Sequence, residues 1–173
     1  MNQTLMTILN RKSVRKFSDK PVSKEQLETI LRAGMAAPSA VNIQPWAFIA
    51  VTSREILDEL NDRLPYAKML RQSSAAIVVC GDLSKTNDAG YKDYWVQDCS
   101  AATQNILLAA EALGLGAVWT AVYHEQDRID TVRDILNLPD HIIPLNVIPI
   151  GRPADDSPVK DKWKPENIHW DVW

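Results

Sequence analysis

The run Ala75-Ala76-Ile77-Val78-Val79-Cys80 constrains the fold more than any other stretch. It shows no alternation of apolar and polar residues, so it reads as a strand buried on both faces. A second run, Ala101-Ala102-Thr103-Gln104-Asn105-Ile106-Leu107-Leu108-Ala109-Ala110, is small and apolar nearly all round. It is the second half of a helix expected from about Tyr91 to Leu113, and a helix of that character is central rather than peripheral. Gly114 and Gly116 end it.

The other elements follow from periodicity. Leu5, Ile8 and Leu9 recur at helical spacing and predict a short opening helix. Ser18-Asp19-Lys20-Pro21 is a turn. Ser23-Lys24-Glu25-Gln26 is a capping box that starts a helix with Leu27, Ile30 and Leu31 on its buried stripe, bounded by Gly34 and Pro38. A strand over 47–52 precedes a helix capped by Ser53 that carries Ile56, Leu57, Leu60 and Leu64. Tyr66 to Leu70 has no clear period. Residues 84–90 form a polar loop. Ala117 to Val122 predicts another strand, residues 126–136 a helix, and Ile142 to Ile150 the last core strand. Pro144 and Pro149 argue against a regular central position for that strand.

At 173 residues the chain is most simply one domain with a real core. The net charge of −3 argues against nucleic acid, which usually meets a basic face. Cys80 and Cys99 lie far apart without metal spacing and read as buried free thiols of a reducing compartment. No apolar run approaches the ~20 residues of a membrane span. The opening residues lack the pattern of a signal peptide, so cytoplasmic residence is expected.

Two stretches carry candidate chemistry. In Asn10-Arg11-Lys12-Ser13-Val14-Arg15-Lys16-Phe17, an extended backbone would point Arg11, Ser13 and Arg15 the same way. Two guanidinium forks and a hydroxyl suit a phosphate; a solvated basic turn explains the same charges. In Pro38-Ser39-Ala40-Val41-Asn42-Ile43-Gln44-Pro45-Trp46, two prolines bracket three short polar side chains, with a flat aromatic beside them. This reads either as a stiff loop for a planar polar ligand or as a turn that satisfies its own backbone. The tail from Ala154 to Trp173 carries Trp163, Trp170 and Trp173, which need a surface to lie on, either the chain's own body or a second subunit.

Much familiar chemistry is missing. His124, His141 and His169 have no metal-ligand spacing. No nucleophile elbow, Walker loop or dinucleotide-binding glycine pattern occurs. His124-Glu125 reads as a helix start rather than an acid/base pair. If the chain is an enzyme, a cofactor carries the hard chemistry.

Arg11-Lys12-Ser13-Val14-Arg15, the Pro38-to-Trp46 loop, Leu113-Gly114-Leu115-Gly116, Ile150-Gly151-Arg152-Pro153 and the terminal Ile168-His169-Trp170-Asp171-Val172-Trp173, in this order, closely resemble the nitroreductase-like family of FMN flavoproteins. The resemblance runs nearly end to end. It implies an α+β fold: a mixed central sheet flanked by helices, in an intertwined homodimer with an exchanged C-terminal arm. Residues 1–153 would then be the FMN-binding domain, and residues 154–173 the arm on the partner subunit. By position, Arg11 and Ser13 match phosphate ligands, with Lys12 nearby. Arg15 matches the cation at the pyrimidine edge of the flavin, where it would stabilise negative charge at N1. Pro38, Ser39, Ala40 and Asn42 would approach the flavin from the other subunit. Trp119, Thr120 and Ala121 would line one flavin face. Gly151 and Arg152 match a second phosphate-side contact, and Lys68 resembles a flavin-edge lysine.

The resemblance further implies an FMN-dependent oxidoreductase. It would take hydride from NADH or NADPH at flavin N5 and pass it to a nitroaromatic, a quinone or a similar small electron-poor acceptor. No residue is assigned a proton-transfer role, and no metal is expected. Two departures bear on the acceptor. The segment from Asp82 to Tyr94 is compact where members build substrate-covering helices, and Trp119 stands where smaller residues are common. Reductive dehalogenation on the same scaffold, a non-enzymatic FMN-binding or storage role, and a flavin-free interaction module are the alternatives.

Overall fold

A computed structural model describes residues 2–86, 92–156 and 158–173. Five helices and five strands follow in the order α1 (Gln3–Asn10), α2 (Lys24–Met35), β1 (Trp46–Val51), α3 (Arg54–Arg63), β2 (Ala75–Asp82), α4 (Trp95–Ala112), β3 (Gly116–Ala117), β4 (Thr120–Ala121), α5 (Gln126–Leu136) and β5 (Ile142–Gly151). Short 3-10 turns cover Lys68–Arg71, Leu83–Lys85 and Lys92–Tyr94. The expected polar loop over 84–90 and the expected helix start at Tyr91 fall partly on residues 87–91, outside the described residues; α4 begins at Trp95.

The strand order is β1-β2-β5-β3, with β4 also pairing β5. These strands all pair antiparallel. Among the described residues the parallel component expected of a mixed sheet is confined to one bridge, Ser13 with Ala117. β2 behaves as its composition requires. Ala75, Ile77 and Val79 enter the core beneath α2 and α4, together with Leu27, Ile30 and Ile106. Ala76, Val78 and Cys80 enter the opposite core with Leu57, Leu60 and Val132 of α3 and α5. Each valine, leucine or isoleucine among them contributes about 1.5–3 kcal/mol on burial, so the strand that lacks a polar face holds both layers together.

The two prolines argue against a regular central strand, and β5 is central but irregular, lying between β2 and the β3/β4 edge. The register supplies the reason. Pro144 sits opposite Cys80, where a bulge interrupts the ladder with β2. Pro149 faces the break between β3, which ends its pairing at Ile150, and β4, which begins at Val147. Both prolines thus fall where the ladder is interrupted, and a missing N–H costs least there. That break also splits the single strand expected over 117–122 into two short ones and sets Trp119 between them.

Local signals read well elsewhere. Ser23 and Gln26 form the reciprocal cap of α2, and the Ser53 hydroxyl accepts from the Ile56 N–H at 3.5 Å. Trp46 is buried and stacks on Phe48 with ring centroids 6.5 Å apart. Its aromatic face belongs to the core and is not offered to a ligand as the sequence reading had it.

Cys80 and Cys99 are both buried free thiols, and the Cys99 Sγ donates to the Cys80 carbonyl at 3.4 Å. Burial pushes each thiol from the usual 9.0 up to about 12. The folded state therefore holds these protons more tightly than the unfolded chain does. Stability is intact below pH 9 and falls as pH rises from there toward 12, by up to about 1.4 kcal/mol per pH unit for each thiol. Urea midpoints at pH 8 and pH 10.5 check this: the Cys80→Ala, Cys99→Ala protein is expected to lose less stability between them. An equal loss would rule the thiols out as the cause.

Candidate functional site

The basic segment after α1 is held against the sheet edge by close packing. The Val14 N–H donates to the Ala117 carbonyl at 3.0 Å, and the Ser18 N–H to the Arg152 carbonyl at 2.9 Å. Val14 and Phe17 point inward and are buried. Their backing is glycine: a Cβ on Gly116 would lie 2.6 Å from Val14 Cβ, and one on Gly151 would lie 2.8 Å from Phe17 Cδ1. Glycine at these positions lets the segment approach the sheet, and this packing accounts for Gly151. With Val14 turned inward, Ser13 and Arg15 face solvent.

Arg15 reaches the first of two cavities. One, of about 540 Å³, is lined by Arg15, Tyr66, Lys68, Met69, Trp119, Thr120, Ala121 and Arg128, with Pro65 and Val118. The other, of about 220 Å³, is lined by Lys12, Ser13, Val14, Arg15, Lys16 and Asp155. Arg15 is common to both. Five residues expected to meet a flavin ring (Arg15, Lys68, Trp119, Thr120 and Ala121) thus come together from segments far apart in the chain. Trp119, 37% exposed, forms an aromatic wall.

The charges in the larger cavity are one-sided. Arg15, Lys68 and Arg128 line it, and among the described residues no aspartate or glutamate does, although the chain as a whole carries −3. Among the described residues the Arg15 guanidinium makes no hydrogen bond or ion pair. Lys68 is partly committed: its Nζ donates to the carbonyls of Asn61 at 2.7 Å and Asp62 at 3.4 Å. These are among the last carbonyls of α3, where an ammonium is a normal cap.

Other expected residues lie apart from this cavity. Arg11 lines a separate cavity with Gln104, Lys160 and Trp163, and its carbonyl accepts from Lys162 Nζ at 3.1 Å. It does not converge with Ser13 and Arg15. Lys12 pairs with Asp156 at 3.2 Å. Arg152 is half-buried and lines none of these cavities. Pro38, Ser39, Ala40 and Asn42 also lie apart, on a loop pinned by α4: buried Asp98 accepts from the Ala40 N–H at 3.0 Å. Ser39 Oγ accepts from the Gln44 N–H at 2.9 Å. Within this loop Val41, Asn42 and Gln44 have φ of 42°, 59° and 54°. A β-branched residue in that region is strained, and Val41 is 66% exposed. Part of the loop thus satisfies its own backbone, as one of the two sequence readings held.

Tyr66 and Arg128 escaped the sequence reading. Tyr66 lies in the segment without a clear period. Arg128, in the first turn of α5, looks like any helix charge.

These features define a class: an α+β protein whose sheet edge carries an open, cation-lined cavity with one aromatic wall. The model of the nitroreductase family matches residues 8–65 and 57–152, and the chain belongs to that family. A protein of Methanothermobacter thermautotrophicus named, as an inferred activity, NADH dehydrogenase/NAD(P)H nitroreductase is 46% identical over 169 residues, covering 98% of this chain and 87% of its own. A crystal structure from Parabacteroides distasonis under the same inferred name superposes with a TM-score of 0.94 at 56% identity, covering 100% of both chains. A nitroreductase structure from Desulfovibrio desulfuricans, solved in complex with FMN and named as an inferred activity, superposes with a TM-score of 0.83 at 30% identity over 100% of this chain and 99% of that one.

Proposed function

We propose that this chain is an FMN-dependent NAD(P)H oxidoreductase that works as a homodimer and reduces small electron-poor acceptors such as nitroaromatics or quinones. It is an oxidoreductase by family, and the names of its relatives supply the donor and the cofactor. The observation that carries the reading is the cavity in which Arg15, beside Trp119, makes no ion pair among the described residues, with three cations and no carboxylate among the described lining residues. A planar ring that gains negative charge fits there. At about 540 Å³ the cavity is within the usual range for a cofactor site. When bound, FMN supplies hydride acceptance and donation at N5.

The protein's own part is placement and charge. Arg15 holds the ring edge and favours negative charge on it. Trp119, Thr120 and Ala121 support one face. Lys12 and Ser13 line the smaller cavity that shares Arg15, and we propose them for the phosphate; Arg11, Gly151 and Arg152, which line neither of these two cavities, belong to the same proposal by their position in the family. No side chain is required to move a proton.

The dimer completes this site. The loop carrying Pro38, Ser39, Ala40 and Asn42 does not reach the Arg15 cavity of its own chain, so it serves the cavity of the second chain. Apolar surface supports the pairing. Leu5, Met6, Ile8 and Leu9 of α1 are all exposed, and Trp163, Trp170 and Trp173 are 69%, 82% and 99% exposed. Residues 154–173 form the arm that covers the partner.

The test is the visible spectrum of the purified protein before and after NADH is added without oxygen. A flavin band that bleaches is expected. A protein that stays colourless after incubation with FMN overturns the reading. Light scattering should give twice the chain's 19.4 kDa. A chain ending at residue 156 is expected to run as a monomer and to lose FMN; an intact flavin-bound dimer would remove the arm from the interface.

A further inference from the structure

We infer that Arg128, held on Tyr66, forms an anion subsite at the cavity and receives a negatively charged group of the redox partner that docks over the flavin. The inference rests on the reductase reading and goes beyond it, since that reading counts Arg128 in the cavity's charge but gives it no group to contact, whereas Arg15 is given the flavin edge. The Arg128 guanidinium carbon lies 5.1 Å from the Tyr66 ring centroid. One of its nitrogens, Nη1, donates to the Ala121 carbonyl at 3.4 Å. Among the described residues it makes no ion pair. Its neighbour Arg133, on the same helix, is neutralised by Asp140 at 2.6 Å.

Tyr66 is 70% exposed. A large aromatic left in solvent needs a reason, and a guanidinium laid on it supplies one. The ring contact and the Nη1–Ala121 hydrogen bond hold the guanidinium at the cavity, and among the described residues its Nη2 makes no hydrogen bond. A guanidinium with donors to spare binds phosphate, sulfonate or carboxylate. Arg128 comes from α5 and Tyr66 from the segment after α3, so both stand at the cavity independently of the basic segment that carries Arg15. The shared chemistry is an anionic group on a molecule that also presents a flat redox ring. It has two sources: the phosphates of the dinucleotide donor, or an acidic substituent on the acceptor.

Titration calorimetry of the oxidised holoprotein separates them. The probes are NADP⁺, 1,4-naphthoquinone-2-sulfonate, and uncharged menadione. The quantity read is each charged probe's Kd divided by that of menadione. In Arg128→Ala this ratio is expected to rise about tenfold to a hundredfold, the usual effect of losing a charge-assisted hydrogen bond. A rise for NADP⁺ alone assigns the subsite to the donor; a rise for the sulfonate alone assigns it to the acceptor. An unchanged ratio for both charged probes overturns the inference. Arg128→Gln reads the same ratio should the alanine variant fail to fold. Tyr66→Leu is expected to raise the ratio several-fold, and no change there would remove the orienting role of the ring. Failure of the reductase reading shows differently, as wild-type protein that takes up no FMN or does not reduce menadione with NADPH.

Discussion

Arg15→Ala is expected to weaken FMN binding about thirtyfold, equivalent to about 2 kcal/mol. It is the largest effect on flavin affinity expected of any single change to a cavity side chain, and the structure supplies the reason. The Arg15 guanidinium has no partner among the described residues, so no internal interaction competes with the ligand. It also lines both the large and the small cavity, so its loss is felt at both. Lys68→Ala is the contrast. Lys68 already donates to the carbonyls at the end of α3. Its removal is expected to shift the urea midpoint more than the flavin affinity. Fluorescence titration of the flavin-free protein reads the first quantity and urea denaturation the second. A smaller affinity loss for Arg15→Ala than for Lys68→Ala would reverse the roles of these two cations. The flavin's midpoint potential offers an independent reading: losing a cation beside the reduced ring should make reduction harder.

Gly116→Ala is expected to destabilise the chain by about 1–3 kcal/mol, the usual cost of overpacking, and to weaken FMN binding as well. The added Cβ would lie 2.6 Å from both Cβ and Cγ1 of Val14. Val14 is β-branched and buried, so it has no free rotamer to retreat into. The backbone from Ser13 to Arg15 must move away from β3, and the Val14–Ala117 hydrogen bond lengthens. This segment carries Arg15, so a packing fault becomes a binding fault. The double variant Val14→Ala, Gly116→Ala removes the two Val14 methyl groups that meet the new atom and should recover part of both losses. The two substitutions touch one another, and a favourable coupling energy of about 0.5–3 kcal/mol is expected from the cycle. Strict additivity would show that the clash is relieved elsewhere.

The fold and the site differ in how far they could be read from residues alone. Helix limits at Ser23, Ser53 and Gln126 were legible because capping side chains and helical periodicity act over three or four residues. The double-faced burial of 75–80 was legible because alternation is absent. Trp46 and Trp119 were not separable by sequence. Each stands at a strand end in an apolar context, yet one is a core residue and the other a cavity wall. The difference comes from pairing: Trp46 starts a full ladder opposite Gly81, whereas Trp119 falls in the break between two short ones. Arg11, Ser13 and Arg15 share a direction in an ideal extended chain. The real segment follows α1 directly, and Arg11 still serves as its C-cap residue, which turns it away.

The sequence by itself thus determined the elements, the two-layered core around β2, and, through an ordered set of motifs, the family. Each of these rests on short-range patterns of burial and capping. Only the tertiary structure decided which charges share a cavity. Arg15, Lys68 and Arg128 lie on three separate segments, and no local rule links them. Their meeting depends on the register of β5 with its neighbours and on how closely Val14 and Phe17 can approach glycine. Charge is cheap at a solvated surface wherever it falls, so the one-letter code does not mark which cations the folded chain gathers around one cavity.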